Sequence, residues 1–381
     1  MDQKDNMINV KENKMYRYLA VLTIASTMGL EAWLTLFNNF AVEVAALEGN
    51  QIGFIQSVRE IPGFLSLLVI FVLLVIREHR LSALSIIILG LGMAVTGLLP
   101  SYSGLIFSTL LMSFGFHYFD TTCDSLALQY FDERNSPWVF GKLGSLASIT
   151  NIGVGILILG TAPLLSYKQL YLLIGVIVMA AGFGGVFQNP INSNLHPQRK
   201  KMVLRKKYWL FYFLIFMAGA RRQIFMAFAV FLMVKKFDFS VREVTTLFVI
   251  NNLLMYFLFP LIGKSIIRFG EKKMLSLEYG SLIFIFLAYA AAQSKMTIVI
   301  LYVLDQIFYN FHIAIQTYFQ KIADPADIAS SISVSFTINH IAAVVLPAIG
   351  GILWMIDYRI PFVGGAVFSL VSLVAVQKIK T

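Results

Sequence analysis

Apolar residues run through this chain in stretches of about twenty, each closed by a few polar or glycine and proline positions. A bilayer core of roughly 30 Å is crossed by about 20 residues in helical form, and a helix leaves no backbone polar group facing lipid. The pattern therefore predicts an all-α integral membrane protein of twelve transmembrane helices, near 18–44, 51–76, 82–99, 103–130, 138–165, 168–188, 208–234, 242–267, 274–292, 296–320, 329–356 and 360–378. Most of the chain is membrane.

The one long polar connection, "NPINSNLHPQRKKMVLRKK" at 189–207, divides these spans into six and six. The predicted organisation is a tail at 1–17, an N-terminal six-helix bundle at 18–188, a linker at 189–207 and a C-terminal six-helix bundle at 208–381. The halves overlay as a repeat. An offset of 190 lays Gly29 on Gly219 and Glu31 on Arg221; an offset of 188 lays Ser136-Pro137 on Asp324-Pro325, His117 on Asp305, Asp124 on His312 and Asn151 on Asn339. A polar cap followed by proline is a helix start, so Ser136 and Asp324 are expected to cap spans five and eleven. Two pseudo-symmetric bundles with polar groups in corresponding helices are the pattern of a secondary transporter.

Composition agrees: 58% of the 381 residues are hydrophobic and 13% charged. The net charge of +10 is spread over alternate loops, with no basic stripe for nucleic acid. Lys4, Lys11, Lys14, Arg77, Arg80, the six cations of 189–207, Arg268, Lys272, Lys273, Lys378 and Lys380 all fall on one side if both termini are cytoplasmic. One cysteine, Cys123, excludes an intrachain disulfide, and no cleavable signal is expected before span one. Metal, ATP and serine-hydrolase motifs are lacking, so no cofactor and no metal is implied.

The polar residues inside the spans carry the candidate chemistry, since a charge at bilayer depth costs at least about 2.5–3.5 kcal/mol and needs a partner or water. Glu31 lies in span one, His117, Asp120 and Asp124 in span four, Arg221 and Arg222 in span seven, and Asp305, Tyr309, His312 and Gln316 in span ten. Positions 117, 120 and 124 share one helical face, and so do 305, 309, 312 and 316. Arg59 and Glu60 are sequence neighbours, so they diverge on a helix and are expected not to pair. Lys142 is placed to meet Asp132 or Glu133. Of the two arginines, Arg221 is the expected cavity residue, opposite Glu31, and Arg222 the one expected to hold a packing partner. Simple helix-to-helix hydrogen bonding is the competing account of all these groups.

The segment "GKSIIRFGEKK" at 263–273 is similar to the loop signature of the major facilitator superfamily through Gly263, Arg268, Gly270 and Lys272, with Ile267 where that family usually has aspartate. The loop "IREHRLSAL" keeps only the basic Arg77 and Arg80. The chain thus resembles that superfamily, which implies its fold, a central cavity lined by spans one, four, seven and ten, and transport of a small molecule by alternating access. On this basis Glu31, Asp120 and Asp305 are candidate carriers of protons or another coupling ion. Arg221, His117, Asp124, Tyr309, His312, Gln316 and Trp33 are candidate substrate contacts. Arg77, Arg80, Asp132, Glu133, Arg268, Lys272 and Asp324 are candidates for a cytoplasmic gate. The expected protein is a monomer in the bilayer of a bacterial inner membrane, without nucleic acid, with efflux one of its open directions. The rivals are an uncoupled facilitator and a non-transporting receptor or scaffold; an intramembrane enzyme lacks a nucleophile arrangement.

Single cysteines introduced at 235–241 and at 189–207 test the orientation. An impermeant thiol reagent is expected to label only the first in intact cells, and labelling of the second would reverse the topology.

Overall fold

The computed structural model describes residues 12–191, 198, 199, 201–239 and 241–380, and among these it is helical throughout, without a strand. The first half contains α1 (Lys14–Glu43), the segmented α2, α3 (Glu78–Thr96), α4 (Tyr102–Tyr130), α5 (Ser136–Thr161) and α6 (Tyr167–Phe187). The second contains the segmented α7, α8 (Val241–Phe269), α9 (Glu271–Ala291), the segmented α10, α11 (Ile328–Ile356) and α12 (Arg359–Val376). Nine helices among the described residues are long and apolar enough to cross a membrane. The rods outside that set are α4, with its acidic residues, the interrupted α7, and α11.

Three rods are broken, each with a local signature. In α2, helix Gly49–Arg59 stops at Glu60 and gives way to Ile61–Phe64, a 3-10 turn Leu65–Leu68, and Val69–Val72. Pro62 lacks the N–H that would bond back into the first segment. In α7, Trp209–Ile224 passes through π-helical Phe225–Ala229 into Val230–Phe237. In α10, Lys295–Tyr309 passes through a 3-10 turn at Asn310–His312 into Ile313–Ile322. Starts follow ordinary capping: Asn13, Ser101 and Ser294 side chains accept from Met15, Gly104 and Thr297 N–H, and Ser166 with Gln169 forms a capping box on α6. Gly270, at φ 82°, makes the tight turn between α8 and α9.

Two compact units emerge. One comprises 1–135, 146–203 and 325–337; the other comprises 136–145, 204–324 and 338–381. The division falls inside the expected linker, but the first turns of α5 and of α11 each join the unit formed by the other half of the chain. In the second unit, Ser145 Oγ donates to the Tyr256 carbonyl at 2.7 Å, and the Ser136 hydroxyl to Gln320 Oε1 at 2.5 Å. In the first, Thr337 Oγ1 donates to the Phe64 carbonyl at 2.9 Å and accepts from Leu67 N–H at 3.0 Å. The 188-residue offset relates these two exchanges. Helix α5 itself is capped one residue earlier than expected, at Asn135, with Pro137 in its first turn, and Asp324-Pro325 opens a 3-10 turn, Pro325–Asp327, rather than α11 directly.

The start of α11 is tied to the linker within the first unit. Gln198 Nε2 donates to the Pro325 carbonyl at 2.8 Å while its Oε1 accepts from Ala329 N–H at 3.1 Å. The Arg199 N–H bonds the Ala326 carbonyl at 2.8 Å, its carbonyl accepts from Ser330 Oγ at 2.8 Å, and its guanidinium meets Asp327 at 3.0 Å. Asp327 is fully buried and Arg199 is 38% exposed. Arg199→Ala is expected to lower thermal stability in detergent by about 1–3 kcal/mol, less than the ~3–5 kcal/mol of a wholly buried pair because water reaches one partner. Asp327→Asn, which keeps a hydrogen-bonding oxygen, is expected to cost less; equal losses would refute the ion-pair account.

Candidate functional site

The interior of the second unit holds a cluster of charge that four helices assemble. On α9 the buried residues Glu271, Met274, Leu275, Glu278, Tyr279, Leu282, Ile285, Phe286 and Tyr289 recur at helical spacing, so Glu278 points where the apolar residues point. On α12 the stripe Gly365, Ser369, Ser372 and Ala375 is small enough for α9 to come close; a Cβ on Gly365 would lie 2.9 Å from the Phe286 ring. On α7, Gly219 is required for approach to α11, since a Cβ there would stand 2.7 Å from the Asn339 carbonyl oxygen. Arg221, two residues on, is thereby aimed into the bundle.

There the Arg221 guanidinium meets Glu278 Oε1 at 3.4 Å, donates to Ser372 Oγ at 2.5 Å, and lies 4.3 Å from the Tyr279 ring centroid. Arg221 is 1% exposed and Glu278 fully buried. Asp305, on α10, is 2% exposed and lies near enough for its charge to act on Glu278 and on Tyr289 and Tyr302. The cluster is incompletely bonded: Arg221 Nε, Glu278 Oε2, Asp305 Oδ2 and the hydroxyls of Tyr279 and Tyr289 are buried without a hydrogen-bond partner among the described residues. One guanidinium thus pairs with Glu278 and acts at longer range on Asp305, in surroundings where an unpaired charge is costly.

This corrects the expectation for the arginine pair. Arg221 is turned away from a cavity role, and its partner is Glu278 rather than Glu31. Arg222 is the exposed one, and it holds no hydrogen bond or ion pair among the described residues. Its charge acts on Tyr309 and His312 of α10. The 3-10 turn at Asn310–His312 alters the even spacing expected of α10. Tyr309 and His312 stack at 4.7 Å between centroids, His312 Nδ1 lies 2.9 Å from the Tyr309 carbonyl, and both residues, like Gln316, are half-buried while Asp305 faces the interior. Glu278 escaped the sequence reading because span nine interrupts the recurrence of polarity every third span. The detectable signal was a lone glutamate in phase with an apolar stripe.

In the first unit, Glu31, Asp120 and Asp124 are half-buried and His117 is buried. Asp120 and Asp124 act on each other, as their one-turn separation on α4 requires. Trp33, expected as a substrate contact, is fully buried, stacked on Phe37 at 4.2 Å with the Arg59 guanidinium 5.7 Å over its ring. Arg59 and Glu60 do pair, at 2.7 Å, contrary to expectation. Glu60, the joint between two segments of α2, keeps helical backbone angles of φ −81° and ψ −13°, so the two long side chains bridge the step between helix neighbours.

The candidate gate residues are dispersed. Arg77, Arg80, Asp132, Glu133 and Arg268 are exposed, and Asp324 is half-buried with its N–H bonded to the Tyr208 hydroxyl. Asp132 accepts from the Asn135 N–H at 2.8 Å, Arg268 lies over the Phe269 ring at 5.2 Å, and Lys272 donates to the Gln377 carbonyl at 2.8 Å. Lys142 lies 5.8 Å from the Trp138 ring centroid. The close ion pairs near these loops are Arg199 with Asp327 and Lys321 with Glu271, the latter at 2.8 Å.

Residues 211–379 match the family model of the Major Facilitator Superfamily. Solved structures extend the likeness over the whole chain. A major facilitator superfamily transporter, FucP, in the outward conformation is 13% identical with a TM-score of 0.80, covering 96% of this chain and 98% of its own. The human organic anion transporter MFSD10 (TETRAN) is 12% identical with a TM-score of 0.78, covering 96% and 99%. A bacterial homologue of the iron transporter ferroportin, outward-facing, is 14% identical with a TM-score of 0.78, covering 96% and 98%. No curated protein matches the sequence. The protein is a multi-pass membrane protein with the fold of major facilitator superfamily transporters, as its sequence resemblance implied.

The pair at the centre of the second unit can be tested by a double-mutant cycle. Glu278→Gln and Arg221→Gln are each expected to cost about 3–5 kcal/mol of stability or most of the folded yield, because each strands a buried charge. The combined Arg221→Gln, Glu278→Gln protein is expected to regain yield, which requires a coupling larger than either single loss, about 3 kcal/mol or more. Additive losses would show that the pair does not exist.

Proposed function

We propose that this protein is a proton-coupled secondary transporter of a small organic solute, working by alternating access in a bacterial inner membrane with both termini in the cytoplasm. One observation carries the coupling: Glu278 is buried against the Arg221 guanidinium, Asp305 is buried near enough for that charge to act on it, and a carboxyl oxygen of each acid lacks a hydrogen-bond partner among the described residues. Arginine keeps its charge, so one proton on the two acids makes the cluster neutral. Losing that proton leaves a net negative charge in a medium of low dielectric, which favours any conformation that admits water or a cation to the site. Proton binding and conformation are then linked, and that linkage is the requirement for coupled transport.

Glu31 and Asp120 of the first unit are half-buried and join Asp305 as proton carriers, with His117 and Asp124 on the same face of α4 as substrate contacts. In this reading the half-buried Tyr309, His312 and Gln316 remain substrate contacts, and the exposed Arg77, Arg80 and Arg268 with the half-buried Lys272 bias the two-state balance weakly, with Asp132, Glu133 and Asp324 as their counter-charges. Exposed pairs are worth only about 0–1 kcal/mol each. FucP is described as a fucose:proton symporter, which accords with coupling on this fold without extending to the solute.

The test is uptake of a panel of labelled organic solutes into proteoliposomes, with and without an imposed pH gradient. Gradient-driven accumulation is expected for the wild-type protein and loss of it in Asp305→Asn, with counterflow exchange of the same solute retained. Accumulation that survives Asp305→Asn and Glu278→Gln alike would take the coupling away from these two acids, and solute exchange without gradient-driven accumulation in the wild-type protein would make an uncoupled facilitator the better account.

A further inference from the structure

Arg222 is the residue that the cluster leaves over. Its neighbour Arg221 takes Glu278 of α9, and the roughly 100° step between adjacent helical residues turns Arg222 off the face that Arg221 buries. Arg222 stands fourteenth in the segment Trp209–Ile224, about 20 Å of helix from its start, which is membrane depth. It is exposed and has no ion pair or hydrogen bond among the described residues. A guanidinium at that depth cannot deprotonate and cannot rest in hydrocarbon at low cost, so it must look onto water or onto an anion.

Its surroundings show which side of α7 this is. The Arg222 charge reaches Tyr309 and His312, which lie on α10 at the 3-10 turn and present a stacked phenol and imidazole, half-buried, rather than an aliphatic surface of the kind lipid covers. Immediately after Arg222 the helix becomes π-helical over Phe225–Ala229, and the Phe225 N–H is shared between the Arg221 and Arg222 carbonyls. Such insertions recur at functional sites. The guanidinium fork suits a carboxylate or phosphate bidentately, and a stacked aromatic pair beside it suits the planar or apolar remainder of a small solute.

We propose that Arg222, with Tyr309 and His312, forms the binding subsite for the anionic group of the transported solute, and that the solute is an organic anion carrying a carboxylate or phosphate. This rests on the transporter reading but names the substrate class that reading leaves open. The fixed charge of Arg222 holds the anion at any pH, while the Arg221, Glu278 and Asp305 cluster behind it handles the proton. Binding and coupling are thereby assigned to adjacent residues of one helix that face different ways.

Two measurements test this. In a Cys123→Ala background, Arg222→Cys is expected to react with a charged, membrane-impermeant methanethiosulfonate in purified protein, and Arg221→Cys to stay unreactive. An unreactive cysteine at 222 would put the side chain in lipid or packing and end the proposal. The second is a thermal-shift panel of benzoate, lactate, citrate and glucose 6-phosphate against benzamide, lactamide and glucose. At least one anion is expected to stabilise the protein where its neutral counterpart does not. Arg222→Gln is expected to weaken that effect by about ten-fold or more and Arg222→Lys to recover part of it. Stabilisation by no anion, equal stabilisation by the neutral compounds, or an effect unchanged in Arg222→Gln would each overturn the assignment. A failure here alongside a coupling defect in Asp305→Asn would leave proton coupling standing.

Discussion

The charge of Arg221 cannot be removed by any proton transfer available to a protein, and much of the second unit is arranged around that constraint. It explains why a glutamate interrupts the apolar stripe of α9, why a serine stands at the facing position of α12, and why Gly219 lets α7 approach α11 so closely. The coulombic attraction is strong because the site is dry, and for the same reason every unsatisfied atom in it is expensive. Ion pairing of this kind contributes little net stability compared with a well-packed apolar core. What it adds is sensitivity: the addition or loss of a single proton at Glu278 or Asp305 changes the electrostatic energy of several buried groups together.

The irregular backbone lies next to the charged side chains. Glu60 is the joint in α2, Arg221 and Arg222 precede the π-helical turn of α7, and His312 closes the 3-10 turn of α10. In hydrocarbon, a departure from the α-helical ladder frees backbone groups that water cannot satisfy, so such departures persist only where protein or a polar cavity receives them. The same places tolerate charge, for the same reason. Breaks and charges mark a common polar environment within each unit, and they give α2, α7 and α10 positions at which the segments of a rod can move against each other.

The two units treat equivalent repeat positions differently. Gly29 and Gly219 correspond, and both are needed for close packing, but the first faces Leu89 on α3 and the second Asn339 on α11. The acids of α4 remain half-buried, whereas Asp305 is enclosed. Packing thus separates a half-buried acidic face in one unit from a buried charged cluster in the other.

Much of the architecture was legible from residue order alone, because the bilayer imposes length and polarity rules that act on local sequence. Span positions agree with the helices to within a few residues at nearly every end, although the starts expected at Ser136 and Asp324 shifted by a residue or a turn. The presence of charged and polar residues on spans one, four, seven and ten was equally visible. Pairing was not. Which arginine turns inward depends on where α9 and α12 come to lie against α7, and those helices are 57 and 151 residues away in sequence. Adjacent residues on a helix differ by a rotation, and sequence fixes that difference without fixing the absolute angle of the helix about its axis. Tertiary packing supplies the angle: it gives Arg221 to Glu278, leaves Arg222 without a hydrogen bond or ion pair among the described residues, and encloses Trp33.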